Sequence, residues 1–232
     1  MKIQVASLIA AAVMAVSPLA WADDHYKTFD QAAQAALTPD QALSLLKEGN
    51  ARFVAGESID RDLIEQQKAT SSGQFPFAVV LSCLDSRSAP EVVFDQGVGD
   101  LFVGRVAGNV VDTNLLGSFE FATAAAGSKL IVVMGHTACG AVKGACDGVE
   151  LGNLTALLDE IEPAIDAVST PVGADRSSAN TAFVNDVIET NVRMQVNELL
   201  RRSDVVRGLV DAGQVKVVGA VHDISTGEVT FL

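Results

Sequence analysis

Four strong, short apolar runs decide what this chain can fold into: Phe77 to Leu81 (FAVVL), Leu101 to Val106 (LFVGRV), Leu130 to Met134 (LIVVM) and Val215 to Val221 (VKVVGAV). Each is bounded by glycine or polar residues and is continuous rather than alternating, which is how buried parallel strands read. Helix-length segments separate them. Asn114 to Ala125 makes a helical crossover, and at least two helices fit between the third and fourth runs: Leu154 to Ile161, interrupted by Pro163, and a long one in which Val184, Ile188, Val192, Val196 and Leu200 return every four residues. That stripe suits a core-facing helix, with a subunit contact as the alternative. Thr226-Gly227 signals a turn, after which Val229 to Leu232 can return as an antiparallel edge strand. The expected fold is α/β: a three-layer sandwich with a mainly parallel central sheet, four parallel strands plus an antiparallel edge strand, flanked by helices. At 232 residues and 49% apolar, the chain can bury one sizeable core.

The first 22 residues are of another kind. Lys2 is the only charge before Asp23, Leu8 to Val16 is an apolar run, and Ala20-Trp21-Ala22 has the small-x-small form of a cleavage site. Residues 1–22 therefore read as a cleavable signal peptide, with the mature chain starting at Asp23 in the periplasm or otherwise secreted. Residues 23–37 form an N-terminal lead-in segment, and residues 38–232 a single domain. That domain opens with Thr38-Pro39-Asp40-Gln41, the pattern of a capped helix start. Leu43, Leu46 and Phe53 continue at helical spacing, with Gly49-Asn50 weakening the end.

The formal charge is −13, from 29 acidic and 16 basic residues, with no Lys/Arg-rich run. A phosphate-tracking surface would be repelled by that balance, and 5% aromatics offer little for base stacking, so nucleic acid is excluded as a partner. No second apolar stretch is long enough for a membrane span.

Cys83, Cys139 and Cys146 are an odd number and cannot all pair within one chain. The first strand runs into Ser82-Cys83-Leu84-Asp85-Ser86-Arg87 and the third into Gly135-His136-Thr137-Ala138-Cys139-Gly140. Both clusters fall at the carboxyl edge of the sheet, where loops of open parallel sheets converge. Cys83, His136 and Cys139 are three soft or borderline ligands, which suit zinc, and three protein ligands is the catalytic count. The alternatives are that the cysteines are small buried hydrophobes or that Cys83 and Cys139 form a disulfide. Asp85 and Arg87, two apart, can meet as a bidentate ion pair that keeps the carboxylate charged. Cys146, seven residues beyond Cys139, reads as a buried thiol rather than a ligand. Dinucleotide and P-loop fingerprints are missing, as are the H-x-E and P-C-x-x-C of zinc deaminases.

These motifs resemble the beta-class carbonic anhydrases. The matching marks are Cys83 to Arg87 (CLDSR), Phe94-Asp95 to Phe102 with Gly99-Asp100, Arg105 to Asn109 (RVAGN) and Gly135 to Gly140 (GHTACG). Gly49 to Phe53, Leu151 to Leu154, Gly219-Ala220 and Thr226-Gly227 lie around them, so the similarity runs from about residue 38 to the terminus. The resemblance implies a lyase that carries out the reversible hydration of carbon dioxide to bicarbonate. Cys83, His136 and Cys139 would hold one Zn(2+) per chain, and Asp85 with Arg87 would orient the zinc-bound hydroxide. In some members the residue matching Asp85 swings onto zinc at low pH. Gln74 would reach the substrate across a dimer interface, Phe102, Ala107 and Phe121 would line the carbon dioxide pocket, and the Gly140 N–H would lie near the substrate oxygens. The family builds a homo-oligomer, a dimer or tetramer.

Some positions depart from the family pattern. Phe121 stands where tyrosine is usual and His222 where tyrosine is common, while Leu84, Ser88 and Ala89 replace commoner neighbours. The Trp and Tyr of a second, regulatory bicarbonate pocket are lacking, since Trp21 lies in the signal and Tyr26 in the lead-in. His222 reads as a locally paired strand-end histidine, with proton shuttling as the alternative, and His25 has no assigned role. Rival functions are hydrolysis of carbon disulfide or carbonyl sulfide on the same scaffold, or a non-catalytic zinc-binding or thiol-sensing module. Asp85, Arg87 and Gln74, which structural zinc does not require, argue against the module.

Overall fold

The four apolar runs become β1 (Ala78–Ser82), β2 (Leu101–Arg105), β3 (Leu130–His136) and β4 (Lys216–His222), and the chain end adds β5 (Val229–Phe231). This is seen in a computed structural model that describes residues 28–232. The sheet order is β2-β1-β3-β4-β5, with the first four parallel and β5 antiparallel to β4. The expected signal peptide, His25 and Tyr26 lie outside the described residues. Among those residues, no helix is long and apolar enough to cross a membrane.

Strand alternation sorts the core into two layers. Ala78, Val80, Leu130 and Val132 face one side, where helix α2 (Pro39–Ala55) brings Ala42 and Leu46, and α4 (Pro90–Val93) brings Val93. Val79, Leu81, Ile131 and Val133 face the other, under α5 (Thr113–Glu120), α9 (Thr181–Arg202) and α10 (Asp204–Asp211). Both faces are covered, so β1 and β3 are buried along their whole length, as continuous apolar runs require.

The helix start at Thr38 has the expected reciprocal cap: Gln41 N–H donates to Thr38 Oγ1 at 3.2 Å and Thr38 N–H to Gln41 Oε1 at 2.8 Å. The helix does not weaken at Gly49-Asn50 but runs on to Ala55. Gly49 is there because the helix presses on the chain at Phe94, where a Cβ would come within 1.8 Å of the Phe94 carbonyl oxygen. Asn50 is buried, donates to the carbonyls of Val93 (3.0 Å) and Gly227 (2.8 Å), and accepts from Val229 N–H (2.9 Å). One amide thus ties α2 to α4 and to the edge strand. The lead-in ends in α1 (Gln31–Ala36), whose Gln34 donates to the carbonyls of Pro76 and Ala126 at 2.8 Å each.

The polar stretch before β1 carries α3 (Leu63–Ala69), and the region after β3 carries α6 (Gly140–Cys146), α7 (Asn153–Asp159) and α8 (Glu162–Ala167). Together with the first half of α9, these last three enclose a third cluster at the carboxyl end of β1 and β3 that contains Cys83, Cys139, Val142, Ile161 and Phe183. The long helix is core-facing, although its buried face is rotated from the expected stripe. Val187, Asn191, Gln195 and Leu199 are buried beside Val184, Ile188 and Val192, whereas Val196 and Leu200 are only half-buried.

Candidate metal centre

β1 and β3 are neighbours in parallel register, with Ser82 opposite Met134. Cys83 follows the last residue of β1 and His136 is the last of β3, so both leave the sheet at the same edge. Ala138 takes a left-handed conformation (φ 57°) and turns the chain back, placing Cys139 at the start of α6 against the same point. The ligand atoms of Cys83, His136 and Cys139 all lie within 4.8 Å of one another, and all three residues are buried.

The donor set fits zinc. The two sulfurs are 3.9 Å apart, nearly twice a disulfide length, and both cysteines are free thiols. Two thiolates at about 2.3 Å from a tetrahedral centre stand about 3.8 Å apart. His136 Nδ1–H donates to the Thr137 carbonyl at 2.9 Å, which fixes the tautomer and leaves the Nε2 lone pair for a ligand. That Nε2 is buried with no hydrogen-bond partner, an arrangement that costs stability unless something binds there. A hydrogen bond from Cys139 holds the Cys83 thiol down at about 4 against the effect of burial, with His136 and the amides of Asp85 and Gly108 contributing. The same bond, together with burial, pushes the Cys139 thiol up.

Beside this cluster Asp85 Oδ1 accepts from the Arg87 amide and Nε, both at 2.9 Å, and Oδ2 accepts from Nη2 at 2.7 Å. The guanidinium holds the Asp85 carboxyl well below the usual carboxylate range. Asp85 Oδ2 also stands 3.9 Å from His136 Nε2. Arg105, noted in the sequence only as part of a motif, braces the loop: its Nε donates to the Cys83 carbonyl (3.1 Å) and its Nη2 to the Asp85 carbonyl (2.5 Å).

Other expected site residues are distributed more widely. His222 lies opposite His136 on β4, buried, with Nδ1 3.0 Å from Ser88 Oγ, and burial lowers its pKa. Ala107 opens a tight turn, Ala107–Asn109, in which the Gly108 N–H donates to Cys83 Sγ at 3.4 Å. Gly140 begins α6, exposed, with open space where a Cβ would stand. The Phe102 and Phe121 rings meet edge to face, centroids 5.9 Å apart, in a cavity of about 540 Å³ alongside α5 whose lining includes neither Asp85 nor the metal ligands. Gln74 is exposed in the loop before β1. It is separated from Cys83 by the length of that strand, roughly 17 Å for five residues. Cys146 is half-buried, outside the cluster, its thiol raised by burial. Sequence reasoning missed Asn191 and Gln195; the signal was a pair of amides four apart on an otherwise apolar helix face.

A family model described as carbonic anhydrase matches residues 78–229. "Carbonic anhydrase 2" of Mycobacterium tuberculosis is 35% identical over 190 residues, covering 82% of this chain and 90% of that protein. A carbonic anhydrase of Mycolicibacterium smegmatis is 37% identical over 194 residues, covering 82% and 92%. Among solved structures, a tetrameric beta-carbonic anhydrase of Sordaria macrospora superposes with a TM-score of 0.62 at 27% identity, covering 71% of this chain and 84% of that one. The Coccomyxa beta-carbonic anhydrase gives 0.63 at 25% identity, covering 82% and 86%. The fold, the Cys83-His136-Cys139 cluster and these relatives agree: the chain belongs to the beta-class carbonic anhydrases, zinc-dependent lyases that hydrate carbon dioxide reversibly.

Proposed function

We propose that in this reaction Asp85, kept charged and aimed by Arg87, is the acceptor that orients the attacking hydroxide. The observation that carries the proposal is the bidentate pair beside the buried, unpartnered His136 Nε2. Cys83, His136 and Cys139 would hold one zinc, and when bound it supplies a Lewis acid that lets water lose a proton at accessible pH. An ionised carboxylate can only accept, so Asp85 would take the hydrogen of an attacking oxygen and leave that oxygen's lone pairs free. Carbon dioxide would lie beside Ala107 against an apolar wall of Phe102 and Phe121 brought by a second copy of the chain. The Gly140 N–H and Gln74 would serve as donors to the substrate oxygens. His222 is buried and held by Ser88, which favours proton release to buffer over a route through its ring.

Gln74 stands at the far end of β1, and the aromatic pair lines a separate cavity. Both facts support a homo-oligomer, dimer or tetramer, in which a second copy completes the site. The Sordaria macrospora relatives described as tetrameric are consistent with this. The charge pattern and apolar run of residues 1–22 support export to the periplasm. Mass spectrometry of natively expressed protein should find Asp23 at the N-terminus, and retention of Met1 to Ala22 would overturn export. Stopped-flow hydration assays on metal-quantified protein test the chemistry. The rate should scale with zinc and be higher at pH 8.5 than at pH 7, and zinc-loaded protein without hydration would overturn it.

A further inference from the structure

We propose that Asn191 and Gln195 of α9 are positioning residues that set the hydrogen bond from the Gly108 amide to the Cys83 sulfur, and through it the donor strength of the metal centre. The inference rests on the zinc reading above.

Asn191 and Gln195 are one turn apart on the face of α9 that packs into the core, 1% and 7% exposed. Buried amides among valines and leucines are costly unless every group is used. These are used in series. Val111 N–H donates to Gln195 Oε1 at 2.8 Å, Gln195 Nε2 donates to Asn191 Oδ1 at 3.2 Å, and Asn191 Nδ2 donates to the Gly108 carbonyl at 2.9 Å. The two ends leave no freedom in the middle. A backbone N–H can only donate and a carbonyl can only accept, so each amide is held in one orientation.

The segment they grip is unusual. Gly108 (φ 69°) and Asn109 (φ 46°) are consecutive left-handed residues, a conformation that ordinary side chains resist and that needs outside ties. A Cβ on Gly108 would stand 2.6 Å from Ile161 Cδ1, so the turn is also wedged from the other side. Held this way, the Gly108 amide points at Cys83 Sγ, 3.4 Å away. A donor on a thiolate withdraws electron density from the sulfur, which stabilises the anion and tempers its donation to a metal. α9 thus reaches the metal ligand through a single residue, Gly108, whose carbonyl it holds and whose amide meets the sulfur.

Cobalt(II) substitution reads this directly, because the sulfur-to-cobalt charge-transfer band reports the energy of the sulfur lone pair. In the full chain, Asn191→Leu should move that band to lower energy, since the sulfur loses its donor, and, because the loosened turn no longer holds Cys83 in place, weaken zinc retention against a competing chelator about tenfold. Gln195→Met, one step further from the sulfur, should shift both in the same direction by less. Leu199→Ala, equally buried on the same helix but remote from the turn, should lower stability and leave both readings unchanged. If Asn191→Leu does not fold, Gln195→Met decides. An unmoved band in the folded amide variants overturns the proposal, as does the same shift in Leu199→Ala. A wild-type protein with no thiolate charge-transfer band would instead overturn the metal centre itself.

Discussion

Asp85 and Arg87, two residues apart, grip each other through both carboxylate oxygens, at 2.9 and 2.7 Å, while Oδ2 stays 3.9 Å from His136 Nε2. The carboxylate is therefore anchored on one side and turned to the ligand cluster on the other. Arg87 has more than half of its side chain exposed, so the pair serves less to stabilise the fold than to keep Asp85 charged and still.

Asp85→Asn should keep zinc and fold but lower kcat/KM for carbon dioxide at pH 8.5 at least tenfold per zinc-loaded site, or about 1.4 kcal/mol of transition-state stabilisation. Arg87→Ala should be comparably harmful, since it frees Asp85 to wander or to ligate the metal. Full activity in Asp85→Asn would reduce Asp85 to a loop residue.

Cys83→Ala removes one of the two sulfurs of the buried ligand cluster. Elemental analysis should find the purified variant stripped of most of its zinc, and zinc equal to that of the unmodified protein would contradict the ligand set.

Gly49→Ala sets two effects against each other. Alanine improves helix propensity by about 1 kcal/mol. The added methyl, however, would stand 1.8 Å from a backbone oxygen that cannot rotate away. The clash should win by a net loss of about 2 kcal/mol or more in urea unfolding. A variant as stable as the parent would mean that α2 slides freely on Phe94.

Burial pushes the Asp100 carboxyl from 3.8 up to about 6, while the Gly97 N–H at 2.7 Å opposes the rise. The folded state thus holds this proton more tightly than the unfolded chain does. The residue's contribution to stability is complete below the unfolded value and lost as pH rises through about 6. Asp100→Asn keeps an acceptor for Gly97 and removes the buried charge. It should be near neutral at pH 4 and stabilising at pH 7.5, by up to about 3 kcal/mol. Equal urea midpoint shifts at both pH values would contradict the sign.

The strands and the ligand triad were legible in the sequence for related reasons. A strand covered on both faces reads as a near-continuous apolar run, and Cys83 and His136 come where such runs stop. Gly49-Asn50 was misread because helix propensity is local, whereas the pressure of Phe94 and the bonds to Val93, Gly227 and Val229 come from residues distant in the chain. Asn191 and Gln195 escaped notice because a search for apolar periodicity passes over polar residues on the core face. Gln74 and the Phe102–Phe121 pair were marked by resemblance alone, and within one chain they lie away from the cluster.

The residues around His136 Nε2 come from two strands whose pairing joins distant parts of the chain, the two cysteines being 56 positions apart. No shorter piece of the polypeptide can present the three donors together. The three donors stand together only where β1 is paired with β3, and the growing polypeptide has no complete set before Cys139 has emerged. An ion held there would tie two central strands to each other, so its removal should lower the stability of the sheet as a whole.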